Sequence, residues 1–145
     1  MNPTVIAVPC LRDNYAYVVH APDSKEAIVI DPSEAAPVAA ALSQHGLQLA
    51  AILNTHHHWD HVGGNETLCQ HADLPVFAHR SDAERARVPK QTHRLEDGQY
   101  TSVLSGRSAK TSLSDRCIIS GLPSKRRPQP EAKRVSPVKT AFPMR

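Results

Sequence analysis

Leu49-Ala50-Ala51-Ile52-Leu53-Asn54-Thr55-His56-His57-His58-Trp59-Asp60-His61-Val62-Gly63-Gly64-Asn65 is the stretch that decides the reading of this chain. Its first five residues form an apolar run of strand length, which reads as a buried strand. That strand delivers the chain directly into a cluster of imidazoles and a carboxylate at positions 56, 58, 60 and 61. His56 and His58 are two apart at a strand end, so their side chains project to the same side. Two imidazoles suit zinc, iron or manganese, and Asp60 adds a harder oxygen donor. Asp60 and His61 sit further along, where the backbone can turn, and can reach a second metal. Gly63 and Gly64 remove side chains where the loop bends back closely, and glycine tolerates the dihedrals such a bend can need. The pattern reads as half of a two-metal hydrolase site, in which a pair of ions about 3.5–4 Å apart supplies hydroxide and polarises a carbonyl. His57 and Trp59 alternate with these residues and are expected to point away, as packing groups or as supports behind the ligands. The bland alternative is a histidine-rich surface loop that collects metal adventitiously. The aspartate, the glycine pair and the buried strand count against it.

Working outward, Thr4–Val8, Ala16–His20 and Ala27–Ile30 read as strands, with Pro9 ending the first and the third buried on both faces. Val38 to Gln44 reads as a helix, with Pro37 near its first turn and Gly46 just past its end. After the cluster, a helix from Asn65 (as cap) to His71, a strand at Pro75–Ala78 and a charged helix from Ser81 to about Arg87 follow. Asp97-Gly98 is a turn signal. This order is α/β, with helices covering sheet faces. Loops after the strands of open α/β sheets are where ligands usually bind. His20, His45, His71, His79 and His93 are scattered through turns and helix ends and read as solvated or packed residues. Tyr15, Tyr17 and Leu42 read as packing residues, and Cys10 and Cys69 as small buried side chains.

No apolar run of membrane-spanning length occurs, and the start of the chain lacks the pattern of a secretory signal. Cys10, Cys69 and Cys117 are an odd, widely spaced set, a poor disulfide framework that points to a reducing cytoplasm. A soluble monomer acting on a small molecule, without nucleic acid or membrane partners, is the expectation. The net charge of +3 conceals a break. Residues 1–100 carry 7 Lys and Arg against 12 Asp and Glu, whereas residues 101–145 carry 10 against 2. All nine histidines lie in the first part.

The motif Thr55-His56-His57-His58-Trp59-Asp60-His61-Val62-Gly63-Gly64-Asn65 resembles the HxHxDH signature of the metallo-β-lactamase superfamily. Within it, the chain is most similar to glyoxalase II, the hydroxyacylglutathione hydrolases. Val8 to Tyr15, Ile30-Asp31-Pro32, Ala51 to Asn54 and Leu95 to Gly98 fit the same family in order. The resemblance covers about residues 3 to 100. It implies the N-terminal half of a metallo-β-lactamase-type αββα sandwich, and hydrolysis of S-D-lactoylglutathione to D-lactate and glutathione in methylglyoxal detoxification. By position, His56 and His58 would hold the first metal and Asp60 and His61 the second, zinc being the expected ion and iron or manganese the alternatives. The family pattern would continue with Pro-Gly-His-Thr, Gly-Asp and Gly-His-Glu segments carrying three further ligands, and none of them occurs here. Impaired or absent activity is therefore expected. The alternatives are another hydrolase of the superfamily, such as a lactonase or β-lactamase-like enzyme, or a non-catalytic fragment that binds metal weakly.

Residues 101–145 contain eight serines and five prolines and no histidine. Low hydrophobicity with high net charge favours disorder. The division expected is thus a partial metallo-β-lactamase-like domain at 1–100 and a basic tail at 101–145, disordered or non-native. The loss of resemblance together with the charge reversal points to a reading-frame shift near codon 100, with a genuine basic arm as the alternative.

Overall fold

A computed structural model describes residues 3–99, together with the backbone of 101–104, 107–109, 111–113 and 117–119. Six strands form one sheet whose spatial order follows the chain: β1 (Thr4–Cys10), β2 (Asn14–His20), β3 (Glu26–Ile30), β4 (Gln48–Leu53), β5 (Val76–His79) and β6 (His93–Leu95). The first three pair antiparallel, whereas β3 to β6 run parallel. Parallel neighbours need crossover connections. Here α1 (Ala35–Gln44) links β3 to β4, the histidine loop with α2 (Trp59–Val62) and α3 (Asn65–Leu68) links β4 to β5, and α4 (Arg80–Glu84) links β5 to β6.

Alternation along the strands sends side chains to two cores. Ala16, Val18, Ala27, Val29, Ile52, Val76 and Ala78 face the helices and pack with Val38 and Leu42 of α1 and Val62 of α2. Val19, Ile28, Ile30, Ala51, Leu53, Phe77 and Leu95 gather on the opposite face. The last four residues of β3 are therefore buried, as a strand covered on both sides requires. Helix α1 ends where Gly46 takes φ 63° and Leu47 donates back to Leu42 O at 2.9 Å, a Schellman-type stop.

Several boundaries differ from the sequence reading for identifiable reasons. Pro9 does not end β1 but pairs with Tyr15, because β1 is an edge strand and needs no N–H there. Asn65 is the first residue of α3 rather than its cap, which is Gly64, and its buried amide bonds elsewhere. The N-cap of α4 is His79, whose side chain accepts from the Ser81 N–H, in place of Ser81 itself. Strand β6 escapes the alternation pattern because only Leu95 of its three residues is buried. Beyond residue 100, short strands occur at β7 (Thr101–Leu104), β8 (Arg107–Ala109), β9 (Thr111–Leu113) and β10 (Cys117–Ile119). The rest of the expected tail lies outside the described residues. No helix among the described residues is long and apolar enough to cross a membrane.

Candidate metal centre

The carboxyl ends of β3, β4 and β5 lie along one edge of the sheet, and the loops leaving them meet there. Asp31 follows β3 directly. It takes φ 49°, a left-handed conformation that aspartate tolerates better than most residues. It is 4% exposed, and its carboxylate is filled with donors. The Thr55 N–H reaches Oδ1 at 2.7 Å, the Thr55 hydroxyl reaches Oδ2 at 2.6 Å, and His61 Nδ1 lies 3.0 Å from the same Oδ2. A buried anion so supplied is satisfied, and it clamps both ends of the histidine loop to the end of β3.

The loop is pinned from behind by amides. Asn54, fully buried, donates to His61 O at 3.0 Å and accepts from Asn65 Nδ2 at 2.7 Å. Asn65 also donates to Pro89 O at 3.1 Å. On the other flank, Asn14 Nδ2 from the start of β2 donates to Asp60 O at 2.7 Å and to Asp60 Oδ2 at 3.0 Å. The Asn14 amide holds the Asp60 carboxyl below the usual carboxylate range, assisted by the neighbouring His61 and opposed by partial burial. Gly63 and Gly64 let this loop lie against the backbone of 32–35. A Cβ on Gly63 would stand 2.6 Å from Ser33 O, and one on Gly64 would stand 2.7 Å from Pro32 O.

All four predicted donors lie on this one rim, but they are not equally convergent. His56, His61 and Asp31 offer donor atoms within 4.8 Å of one another. The His56 ring centroid is 4.1 Å from that of His61 and 4.7 Å from that of His58. Asp60 Oδ2 lies 3.5 Å from His61 Nε2. Among the described residues, no group of three such donors includes His58 or Asp60. Asp31 is the residue that sequence reasoning passed over. Its signal was a carboxylate at the end of a doubly buried strand next to β4. Its oxygens already serve Thr55 and His61, so it acts on the site by orienting His61 and leaving Nε2 directed to the rim, as carboxylate–histidine pairs do around metals. The imidazole and carboxylate set fits zinc, iron or manganese.

His57 and Trp59 both turn away from the rim, but only His57 takes a supporting role. His57 turns away from the rim to Asp82, its Nδ1 3.0 Å from Oδ1. Trp59 is 73% exposed, because it opens α2 on the outer side of the loop. The remaining histidines stand apart from the rim: His20 bonds Ala21 O, His79 caps α4, and His93 stacks on Phe77 at 4.4 Å between ring centroids.

A family model described as the metallo-beta-lactamase superfamily matches residues 11–134. The chain belongs to the metallo-beta-lactamase superfamily. Among curated proteins, a hydroxyacylglutathione hydrolase of Synechococcus sp. (strain JA-3-3Ab) is 45% identical over 107 residues, covering 73% of this chain and 41% of the relative. Another of the same name from Gloeobacter violaceus is 51% identical over 89 residues, covering 61% of this chain and 34% of the relative. This superfamily member thus spans between about a third and two fifths of the length of these relatives. Among solved structures, TTHA1623 in a di-iron-bound form matches with a TM-score of 0.52 at 34% identity, covering 66% of this chain and 56% of that one. The BLEG-1 B3 metallo-beta-lactamase matches with a TM-score of 0.63 at 22% identity, covering 74% and 60%. That second likeness is one of fold, and it agrees with the metallo-β-lactamase-type sheet and helix layering expected from the sequence.

Proposed function

We propose that this chain carries the metal loop of a thioester hydrolase of the hydroxyacylglutathione type, which cleaves S-D-lactoylglutathione to D-lactate and glutathione. The observation that carries the reading is the convergence of His56, His61 and the Asp31 clamp at the mouth of parallel strands. The relatives named hydroxyacylglutathione hydrolase, at 41–51% identity, support the choice of substrate class. His56 and His58 are proposed as donors to one ion, and Asp60 and His61 as donors to a second. Zinc is the first choice, and the di-iron form of TTHA1623 keeps iron beside it. Such ions, when bound, lower the pKa of water to about 7 and polarise a carbonyl. Asp31 holds the His61 ring, Asn14 holds the Asp60 carboxylate, and Asn54 keeps the loop backbone fixed as substrate arrives. The thiolate leaving group of a thioester needs little help from a general acid, and none is assigned. A monomeric, cytoplasmic protein is the setting proposed.

The donors within the histidine loop come from four residues, and no histidine follows His93. We therefore propose that the chain alone holds metal weakly and turns over slowly. The test is to purify it from zinc-supplemented culture and measure bound metal and lactoylglutathione hydrolysis on one sample, with a lactone and a β-lactam as competing substrates. Metal-dependent thioester cleavage, however slow, supports the reading. Cleavage of only the lactone or the β-lactam moves the chain to another branch of the superfamily. Metal binding without turnover of any substrate makes it a binding fragment.

A further inference from the structure

Behind the ligand loop, three side chains that the proposed chemistry does not use close a ring. Asp82 in α4 is buried, with 7% of its side chain exposed. Its Oδ1 lies 3.0 Å from His57 Nδ1 and 3.0 Å from Arg87 Nη2, while Arg87 Nη1 lies 3.4 Å from His57 Nε2. Partners of opposite character therefore hold the two nitrogens of one imidazole. A carboxylate only accepts, so His57 Nδ1 carries the hydrogen. A guanidinium only donates, so His57 Nε2 presents its lone pair. The backbone is bent to build this ring. Ala86 takes φ 50°, a left-handed conformation that alanine rarely adopts. The next residue, Arg87, returns its N–H to Asp82 O at 3.0 Å. Arg87 Nε is left buried without a hydrogen-bond partner, so the guanidinium is committed to this place and not to general solvation.

We infer that Asp82 and Arg87 are positioning residues that select which histidines of His56-His57-His58 meet the metal. Three consecutive imidazoles offer competing sets of donors, since any of them can serve a metal through a free ring nitrogen. The His57 ring centroid stands only 5.1 Å from that of His58. With both nitrogens engaged, His57 cannot coordinate without breaking its contact to Asp82 or to Arg87. His56 and His58 are then left as the alternating donors. The inference rests on the proposed metal site and adds to it two residues, Asp82 and Arg87, that act through His57.

The test reads histidine tautomers directly, by long-range imidazole 1H–15N correlation on the 15N-labelled full chain, metal-free and then titrated with zinc chloride. The expected result is a His57 in the Nδ1–H form whose nitrogens stay put while those of His56, His58 and His61 move with zinc. Arg87→Met frees Nε2 at a partly exposed position, and His57 then moves with zinc to the same extent as His56. Asp82→Ala frees Nδ1 and abolishes the fixed tautomer. A wild-type His57 in the Nε2–H form, or one that follows zinc as His56 does, overturns the inference, as does an Arg87→Met chain whose His57 stays unresponsive. Zinc that moves no histidine of the wild-type chain overturns the proposed metal site and the ligand-selecting role with it. The tautomer measured without metal separates that failure from absence of the Asp82–His57–Arg87 ring.

Discussion

Gly63 and Gly64 stand in the ordinary helical region, with φ −59° and −85°, so no special dihedral requires glycine at either position. Close approach requires it, because the Ser33 and Pro32 carbonyls occupy the space a Cβ would need. The sequence made the need for a pair of small residues legible; which of the two reasons applied depended on where residues 32–35 run, and that is a contact across the sheet edge. Gly64→Ala is expected to cost about 1–3 kcal/mol through overpacking. It also pushes α2 away from Pro32, so the Asn14 contact to Asp60 is lost; denaturant unfolding and the Asn14 amide resonances check both. The place of Asp31 at the end of a buried strand was legible, but its partner was not, since nothing local pairs an aspartate with a histidine thirty residues on. Cys69 was read as a small buried residue and is partly buried. Burial pushes its thiol pKa above the ordinary value, Asp73 adds to that and Lys90 opposes it. A raised pKa leaves less thiolate at neutral pH than a free cysteine has. Alkylation of Cys69 by iodoacetamide at neutral pH is therefore expected to lag behind that of free cysteine and to need a more alkaline solution to reach the same rate, followed by site-resolved mass spectrometry.

At the scale of elements, β4 connects the core to the chemistry. Its Ile52 is wholly buried on the helix face, Leu53 is buried on the other, and Asn54 follows at once into the amide network of the loop. Such a strand is legible because both faces demand apolar residues, which leaves an unbroken run in the sequence. The helix Ala35–Gln44 was legible from Val38 onward, for its alanines and its Gly46 stop, while its first three residues lay outside that reading. Strand β6 and the single turn of α2 were not, because each is too short to show a period and is held by contacts from elsewhere, Phe77 pairing with His93 and Asn14 bonding Asp60. Ile52→Ala is expected to destabilise the fold by about 2–5 kcal/mol, the range for large-to-small changes in a packed core. Because β4 also sets the start of the loop, the same variant is expected to weaken zinc binding. Measuring unfolding and metal affinity together checks this, and unchanged affinity in the destabilised variant would show that the loop is held from its flanks alone.

In the whole molecule, the site is assembled from pieces far apart in sequence: the start of β2 supplies Asn14, the end of β3 supplies Asp31, the loop after β4 supplies the proposed donors, and the segment after β5 supplies Asp82 and Arg87. The parallel arrangement of β3 to β6 brings the last three to one edge. An ion bound there ties the loop after β4 to itself and, through His61 and Asp31, to the end of β3. It binds the folded chain better than an unfolded one, because unfolding leaves the donors adjacent in sequence but releases the geometry that Asp31 and Asn14 hold. Stabilisation by a ligand then follows its concentration as RT ln(1 + [L]/Kd), about 2.7 kcal/mol at a hundred times Kd. Zinc is accordingly expected to raise the thermal midpoint of the chain in a concentration-dependent way, and a chelator to reverse it. Replacing His56 by alanine removes one donor and suppresses the response. Replacing His71, exposed and outside the rim, leaves it intact. Equal responses in the two variants would mean that zinc stabilises the chain through histidines other than those of the loop, and the site built at the sheet edge would lose its assignment.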